Sequence, residues 1–187
     1  LMIKREWFGL EDYMLDLKKK YRNKIKNILK RTSNLEVRIL GVDDLEDYAS
    51  PVQALFNQVA ISSQFQGPEF NTDSFALFVK QGFMRVNGYF LDDKLVGFSS
   101  EIKSEEKLYS YFVGFDKNLN QSIPIYGRIL LENITSAISQ KKDSLILGRT
   151  ANEYKSNFGA IPIRSYIYLK VENKLLRTIL SPVYNKL

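Results

Sequence analysis

The chain has no cysteine and no histidine. The first absence excludes disulfides, thiolate nucleophiles and cysteine-based zinc sites. The second excludes Ser-His-Asp triads and imidazole acid–base chemistry. Proton transfer then falls to Asp, Glu, Tyr, Lys, water or backbone, and no metal site is expected. No apolar run approaches the roughly 20 residues of a membrane span, and no signal-peptide pattern opens the sequence. A cytoplasmic protein with no membrane span is the expectation. Internal repeats and low-complexity tracts are also missing.

The 187 residues fit one domain with a real core, and 11 Tyr and 12 Phe argue against disorder. The net charge of +6 is local. Residues 18–31 hold Lys18, Lys19, Lys20, Arg22, Lys24, Lys26, Lys30 and Arg31 and no acid. They take 8 of the 27 basic residues and leave 19 against 21 acidic ones, a balance of −2. An acidic partner for residues 18–31, a carrier protein or a tRNA backbone, is one expectation, and a solvated helix face is the other.

Leu10, Tyr13, Met14, Leu17, Tyr21, Ile25 and Ile28 keep a 3.6-residue spacing that predicts one long amphipathic helix over 10–31. A strand is expected over 35–40, then a helix opened by Ser50-Pro51 with Leu55, Phe56 and Val59 buried. A third helix, capped by Asn71 or Thr72, should end at Gly82. The period then changes. Strands are expected over 84–91, 94–102 and 108–115, joined by short turns into an antiparallel meander. A helix from about 125 to 140 and a strand over 144–147 complete a parallel crossover. A capping box at Thr150–Glu153 opens a short helix ending at Gly159, and 163–171 returns as a strand.

The run Gly88-Tyr89-Phe90-Leu91 … Lys94-Leu95-Val96-Gly97-Phe98 has the look of paired central strands. Tyr126-Gly127-Arg128-Ile129 opens a helix, and Gly148-Arg149-Thr150, Glu153-Tyr154-Lys155 and Phe158-Gly159-Ala160 follow in order. With the element order β-α-α-β-β-β-α-β-α-β from residue 35, these runs resemble the GNAT superfamily of acyl-thioester-dependent N-acyltransferases. The last runs are closest to its Fem-type peptidyl transferase and long-chain N-acyl amino acid synthase branch. The fold implied is α/β: a GNAT-like mixed sheet with a parallel crossover at splayed strands, over 35–187, and a basic helical arm over 1–34.

The resemblance implies transfer of an acyl or aminoacyl group from an activated carrier to a small primary amine. It places the donor on Val113, Gly114 and Phe115 of the strand and on Ile125, Tyr126, Gly127 and Arg128 at the helix start, where free N–H groups favour anions. The family's phosphate loop, Gln/Arg-x-x-Gly-x-Gly/Ala, is reduced here to Gly127, with Ile125 and Ser122 at the other two positions. Acyl-CoA is therefore joined as candidate donor by an acyl carrier protein thioester and by an aminoacyl-tRNA. A catalytically silent module of the same shape, engaging an acidic partner through the arm, is the alternative function.

If Ile102 faces Leu108 across the hairpin, Glu101 lies opposite Tyr109 and Ser99 opposite Tyr111. Glu101 is then the candidate base for an incoming ammonium, against a solvated glutamate at a hairpin end. Glu69, in the loop that borders the acceptor in such proteins, is the rival base. Tyr154 resembles the tyrosine that protonates the leaving thiolate, although the spacing to Gly159 puts Lys155 in that slot. Arg149 and Lys155 are candidates to hold phosphate or carboxylate. Phe65, Phe70 and Phe83 are candidate acyl-pocket residues or plain core.

Overall fold

The computed structural model describes residues 1–61, 70–164, 170, 172, 173, 176 and 178. The predicted helix over 10–31 is two helices, α1 (Leu10–Asp16) and α2 (Lys19–Arg31), broken at an extended Leu17–Lys18. Arg22 explains the break. Its guanidinium donates to Met14 O (3.0 Å), Leu15 O (2.9 Å) and Leu17 O (3.1 Å). In an unbroken helix those carbonyls would have bonded amides four residues on. The corner lets Tyr13, Ile25 and Ile28 all reach one core.

Strand β1 (Glu36–Leu40) is followed by α3 (Val42–Asp47), which the hydrophobic spacing does not announce. Its cap is readable, since Asp44 Oδ2 accepts the Gly41 N–H at 2.8 Å. Then come α4 (Ala49–Ile61) and α5 (Ser74–Lys80). The N-cap position of α5 is Asp73, which makes no side-chain cap bond; Asn71 Oδ1 accepts the Asp73 N–H (2.9 Å), and Thr72 is buried and bonded to Gln53 of α4 (N to Oε1, 2.8 Å). Gly82, at φ +67°, ends the turn after α5 as expected.

Strands β2 (Met84–Leu91), β3 (Lys94–Lys103) and β4 (Lys107–Phe115) form the predicted meander. After a short α6 (Leu119–Ser122), α7 (Ile125–Ser139) crosses to β5 (Ser144–Ile146), and α8 (Asn152–Ser156) follows. No side-chain cap opens α8, whose N-cap Ala151 is left-handed at φ +55°, so the predicted capping box is absent. The predicted strand over 163–171 lies largely outside the described residues.

The sheet order is β1-β2-β3-β4-β5, antiparallel except for the parallel β4–β5 pair. Helices α4 and α5 cover one face, around Phe75, Val86, Phe90 and Phe98. The opposite face carries α7, and α1 and α2 pack on α7 around Leu130, Leu131 and Ile134. The arm therefore shares its core with the sheet. Residues 1–3 line the outer edge of β5, with Leu145 N bonded to Leu1 O (2.8 Å) and Ile3 N to Asp143 O (2.9 Å).

The β3–β4 register differs from the expected one. The tight turn Ser104–Lys107 is closed by Ser104 N to Lys107 O at 2.8 Å, which pairs Lys103 with Leu108. Glu101 consequently faces Ser110, not Tyr109, and Ser99 faces Val113, not Tyr111. Between these pairs β4 carries an extra residue, a bulge at Tyr111–Phe112. Ser100 secures it, accepting from Phe112 N (2.8 Å) and donating to Phe112 O (3.2 Å).

Candidate active site

Strands β4 and β5 pair only through Lys107–Ser144, Leu108–Leu145 and Tyr109–Ile146. From Ser110 to Phe115, β4 runs on without β5 beside it. The direction of its amides follows from alternation along the strand. Asp116 N–H points at Val96 O (2.9 Å) and Phe112 N–H at Ser100, both towards β3. Val113 and Phe115 N–H therefore point into the gap left by β5. Gly114 between them serves the other face, because a Cβ there would sit 2.7 Å from the backbone of Leu55 and Phe56 on α4.

Aromatic rings run from the end of β4 across the start of α7 to α8. Phe115 stacks on Tyr126 (centroids 5.4 Å apart), Tyr126 on Tyr154 (5.5 Å), and Tyr154 leans on Phe158 (5.5 Å). The hydroxyl of Tyr154 lies 2.8 Å from where a Cβ on Gly127 would be, so Gly127 is the residue that admits it. Burial raises the Tyr126 phenol to about 12 and also raises that of Tyr154. The Lys24 ammonium sits 4.9 Å from the Tyr154 ring centroid.

The start of α7 is already bonded. Pro124 at the N-cap has no N–H, Ile125 N bonds Ile123 O (2.7 Å), and Tyr126 N bonds Asn120 Oδ1 (2.9 Å). Arg128 turns away from this end, to Glu132 Oε1 (2.6 Å) and Thr32 O (3.2 Å). Arg31 of α2 donates to the carbonyl of Ser122.

Glu101 is buried, 3 % exposed, on the α7 face of β3. Its Oε2 accepts from Ser136 Oγ (2.8 Å), which in turn accepts from Gln140 Nε2 (2.8 Å). Among the described residues its Oε1 has no partner, and neither has Oδ1 of Asn133, whose Nδ2 donates to Ser110 Oγ (2.7 Å). Desolvation pushes the Glu101 carboxyl above its ordinary value, against the Ser136 bond and the charge of Arg85. Arg85 faces Glu101 directly across β2–β3. Both line a cavity of about 370 Å³, with Lys103 and Gln140 beside them. The solvated-glutamate alternative is thus excluded.

Lys155 is buried rather than a surface charge, 5 % exposed, with Nζ bonded to Thr150 O at 2.5 Å. Burial lowers its ammonium to about 8. It fastens the β5–α8 loop, while its neighbour Tyr154 faces α7. Arg149 is exposed in the middle of that loop. Glu69 and Phe65 lie outside the described residues. Phe70 packs with Phe56, Phe75 and Phe112, and Phe83 is 55 % exposed beside the Glu101 cavity. The gap, Tyr126, Tyr154 and Gly127 thus meet in one place, with Glu101 across from Ser110, the residue at which the gap opens.

Asn120, Ser136, Asn133 and Arg85 escape sequence reasoning. The readable signal was the polar set Asn133, Ser136 and Gln140 at helical spacing along α7 and its C-cap, beside the buried stripe of Ile129, Leu130, Ile134 and Ile138. No helix among the described residues is long and apolar enough to cross a membrane. The described residues also contain no cluster of three or more acidic, His or Cys side chains that could hold a metal.

A family model described as an acetyltransferase (GNAT) domain matches residues 16–156. Curated protein sequences give no match. Among solved structures, the chain is similar to an aminoglycoside acetyltransferase from an uncultured soil metagenomic sample, in complex with sisomicin. That likeness has 19% identity and a TM-score of 0.51, over 75% of this chain and 98% of the other. It is similar to a predicted acetyltransferase with acetyl-CoA from Clostridium acetobutylicum, at 9% identity and a TM-score of 0.56, over 73% and 96%. A conserved protein of unknown function from Bacteroides thetaiotaomicron gives 15% identity and a TM-score of 0.58, over 83% of this chain and 55% of its own. At these identities the likeness is one of fold.

Proposed function

The chain belongs to the GNAT acetyltransferases, and from that premise we propose that it moves an acyl group from a pantetheine thioester to a small primary amine. The observation that carries this is the run of β4 from Ser110 to Phe115 past its last pair with β5. Unpaired backbone groups inside a protein are costly, on the order of 1–3 kcal/mol each, so a ligand with amides of its own gains by satisfying them.

Enzymes of this family use acyl-CoA, and the two parts of that donor fit this chain differently. The pantetheine arm fits along β4, where Val113 and Phe115 present N–H groups towards the gap. The pyrophosphate does not fit the start of α7 as it stands, because Tyr126 N–H is taken by Asn120.

The thioester supplies an acyl carbon open to attack by an amine. Glu101 takes the ammonium proton, its Oε2 fixed by Ser136 and its unpartnered Oε1 kept for the proton. Arg85 and Lys103, lining the same cavity, orient an acceptor that carries an anionic group. As the C–N bond forms and the C–S bond breaks, Tyr154 passes its phenol proton through solvent to the leaving sulfur, and the proton shed by the new amide nitrogen returns to the phenolate. Its raised pKa keeps that proton in place at neutral pH.

A thiol assay tests the proposal with no background, since the protein has no cysteine. Amine-dependent thiol release from acetyl-CoA or S-acetylpantetheine, across a panel of amino acids and simple amines, is the expected result. If neither thioester stabilises the fold thermally and no amine elicits thiol release, the proposal is wrong.

A further inference from the structure

A helix N-terminus attracts anions because its first N–H groups lack intrahelical partners. In α7 those groups are largely spent. The N-cap is proline, Ile125 N–H is bonded to Ile123 O at 2.7 Å, and Tyr126 N–H to the side-chain oxygen of Asn120 at 2.9 Å. Gly127 remains, and the Tyr154 hydroxyl and Ile28 Cδ1 lie 2.8 and 2.9 Å from its Cβ position.

Asn120 is held in place from several sides. It sits in α6, whose start is bonded through Leu119 N to Asp116 Oδ1 (2.9 Å) and whose end is bonded through Ile123 N to Leu119 O (2.8 Å). Arg31 from α2 grips the carbonyl of Ser122 in the same turn. The two arginines at this end, Arg31 and Arg128, are both committed to protein partners, so neither is placed for phosphate.

We infer that Asn120 is a specificity-determining residue: its carboxamide oxygen occupies the place of a phosphate oxygen, and the enzyme recognises its donor as an acyl-pantetheine whose nucleotide contributes nothing. This rests on the acyl-transfer proposal above and deepens it by naming the donor class. The donor's far end is then free to be something other than a nucleotide, such as a carrier protein.

Titration calorimetry of the full chain with S-acetylpantetheine and with acetyl-CoA tests this. The expected result is affinities within about threefold of each other, with adenosine 3′,5′-bisphosphate failing to compete. Asn120→Ala frees the Tyr126 N–H and should shift preference towards acetyl-CoA by about tenfold, the scale of one charge-assisted hydrogen bond. Asn120→Asp keeps an acceptor at the cap and adds a negative charge, so it should retain S-acetylpantetheine binding and disfavour acetyl-CoA. It also keeps the test open if the alanine variant fails to fold. A wild-type preference for acetyl-CoA of tenfold or more, or an Asn120→Asp variant that still prefers it, overturns the inference and leaves acyl transfer standing. Binding of neither thioester removes the acyl-transfer proposal and the inference together.

Discussion

Ser136 donates to Oε2 of Glu101 at 2.8 Å, and the other oxygen of the same carboxylate is buried without a partner among the described residues. A carboxylate so placed is destabilising when ionised, because one oxygen has lost water and gained nothing in exchange. The fold accepts that cost beside a cavity and opposite Arg85, where a ligand ammonium can offset it.

The sign of the pH effect follows. The folded state holds the Glu101 proton more tightly than the unfolded chain does, since burial raises its pKa. The carboxyl favours the fold at pH values below the ordinary carboxylate range, and that contribution is lost as pH rises through the raised pKa. Glu101→Gln should therefore raise the melting temperature at pH 7–8, with the difference from wild type shrinking as the pH falls towards 4. The same variant should lose turnover by on the order of 10²-fold or more and lose the acidic limb of the pH–rate profile. A variant less stable at pH 8 than wild type would show that the carboxylate is fully paired.

Gly114→Ala probes the opposite face of β4. The added methyl would meet backbone atoms of Leu55 and Phe56 at 2.7 Å, and a helix backbone cannot yield as a side chain can. Overpacking of this kind costs about 1–3 kcal/mol, and denaturant unfolding should show at least that loss. An unchanged midpoint would mean that α4 does not seat on β4 so closely.

The layers of this fold were legible because its apolar residues repeat cleanly. The meander from Met84 to Phe115, the crossover to Ser144 and the buried stripe of α7 all follow from hydrophobic period. The missed features turn on single side chains that act at a distance in the sequence. Arg22 breaks a helix whose spacing runs unbroken through Leu17, and Ser100 absorbs a one-residue bulge that, added to the one-residue change set by the turn, moves Ser99 from Tyr111 to Val113. Tyr154 and Gly127 could be named from their runs, but that one sits over the other depends on where α8 returns. Asn120 lay in what read as an unstructured loop.

Arg22→Ala should cost about 1–2 kcal/mol, because three carbonyls at the end of α1 lose a charged donor, Met14 O keeping only the Leu17 N–H and Leu15 O and Leu17 O falling back on water. Reversing the exposed Lys18, Lys19, Lys26 and Lys30 to Glu should leave the fold intact by circular dichroism, since none of them reaches the core. If the lysine variant unfolds and Arg22→Ala does not, the basic stripe rather than the arginine corner holds the arm.

Tyr154→Phe separates the ring from its hydroxyl. The ring is stacked between Tyr126 and Phe158 and lies under Lys24, and phenylalanine keeps all three contacts, so melting temperature should change little. What is lost is the phenol proton that the proposed reaction supplies to the leaving sulfur. An alkyl thiolate such as that of pantetheine leaves poorly without it, so thiol release should fall by on the order of 10²-fold. A thioester of an aromatic thiol leaves readily as the anion and needs no proton. On that donor the variant should approach the wild-type rate. If Tyr154→Phe slows both donors equally, the hydroxyl positions the donor and does not protonate it, and water must supply the proton.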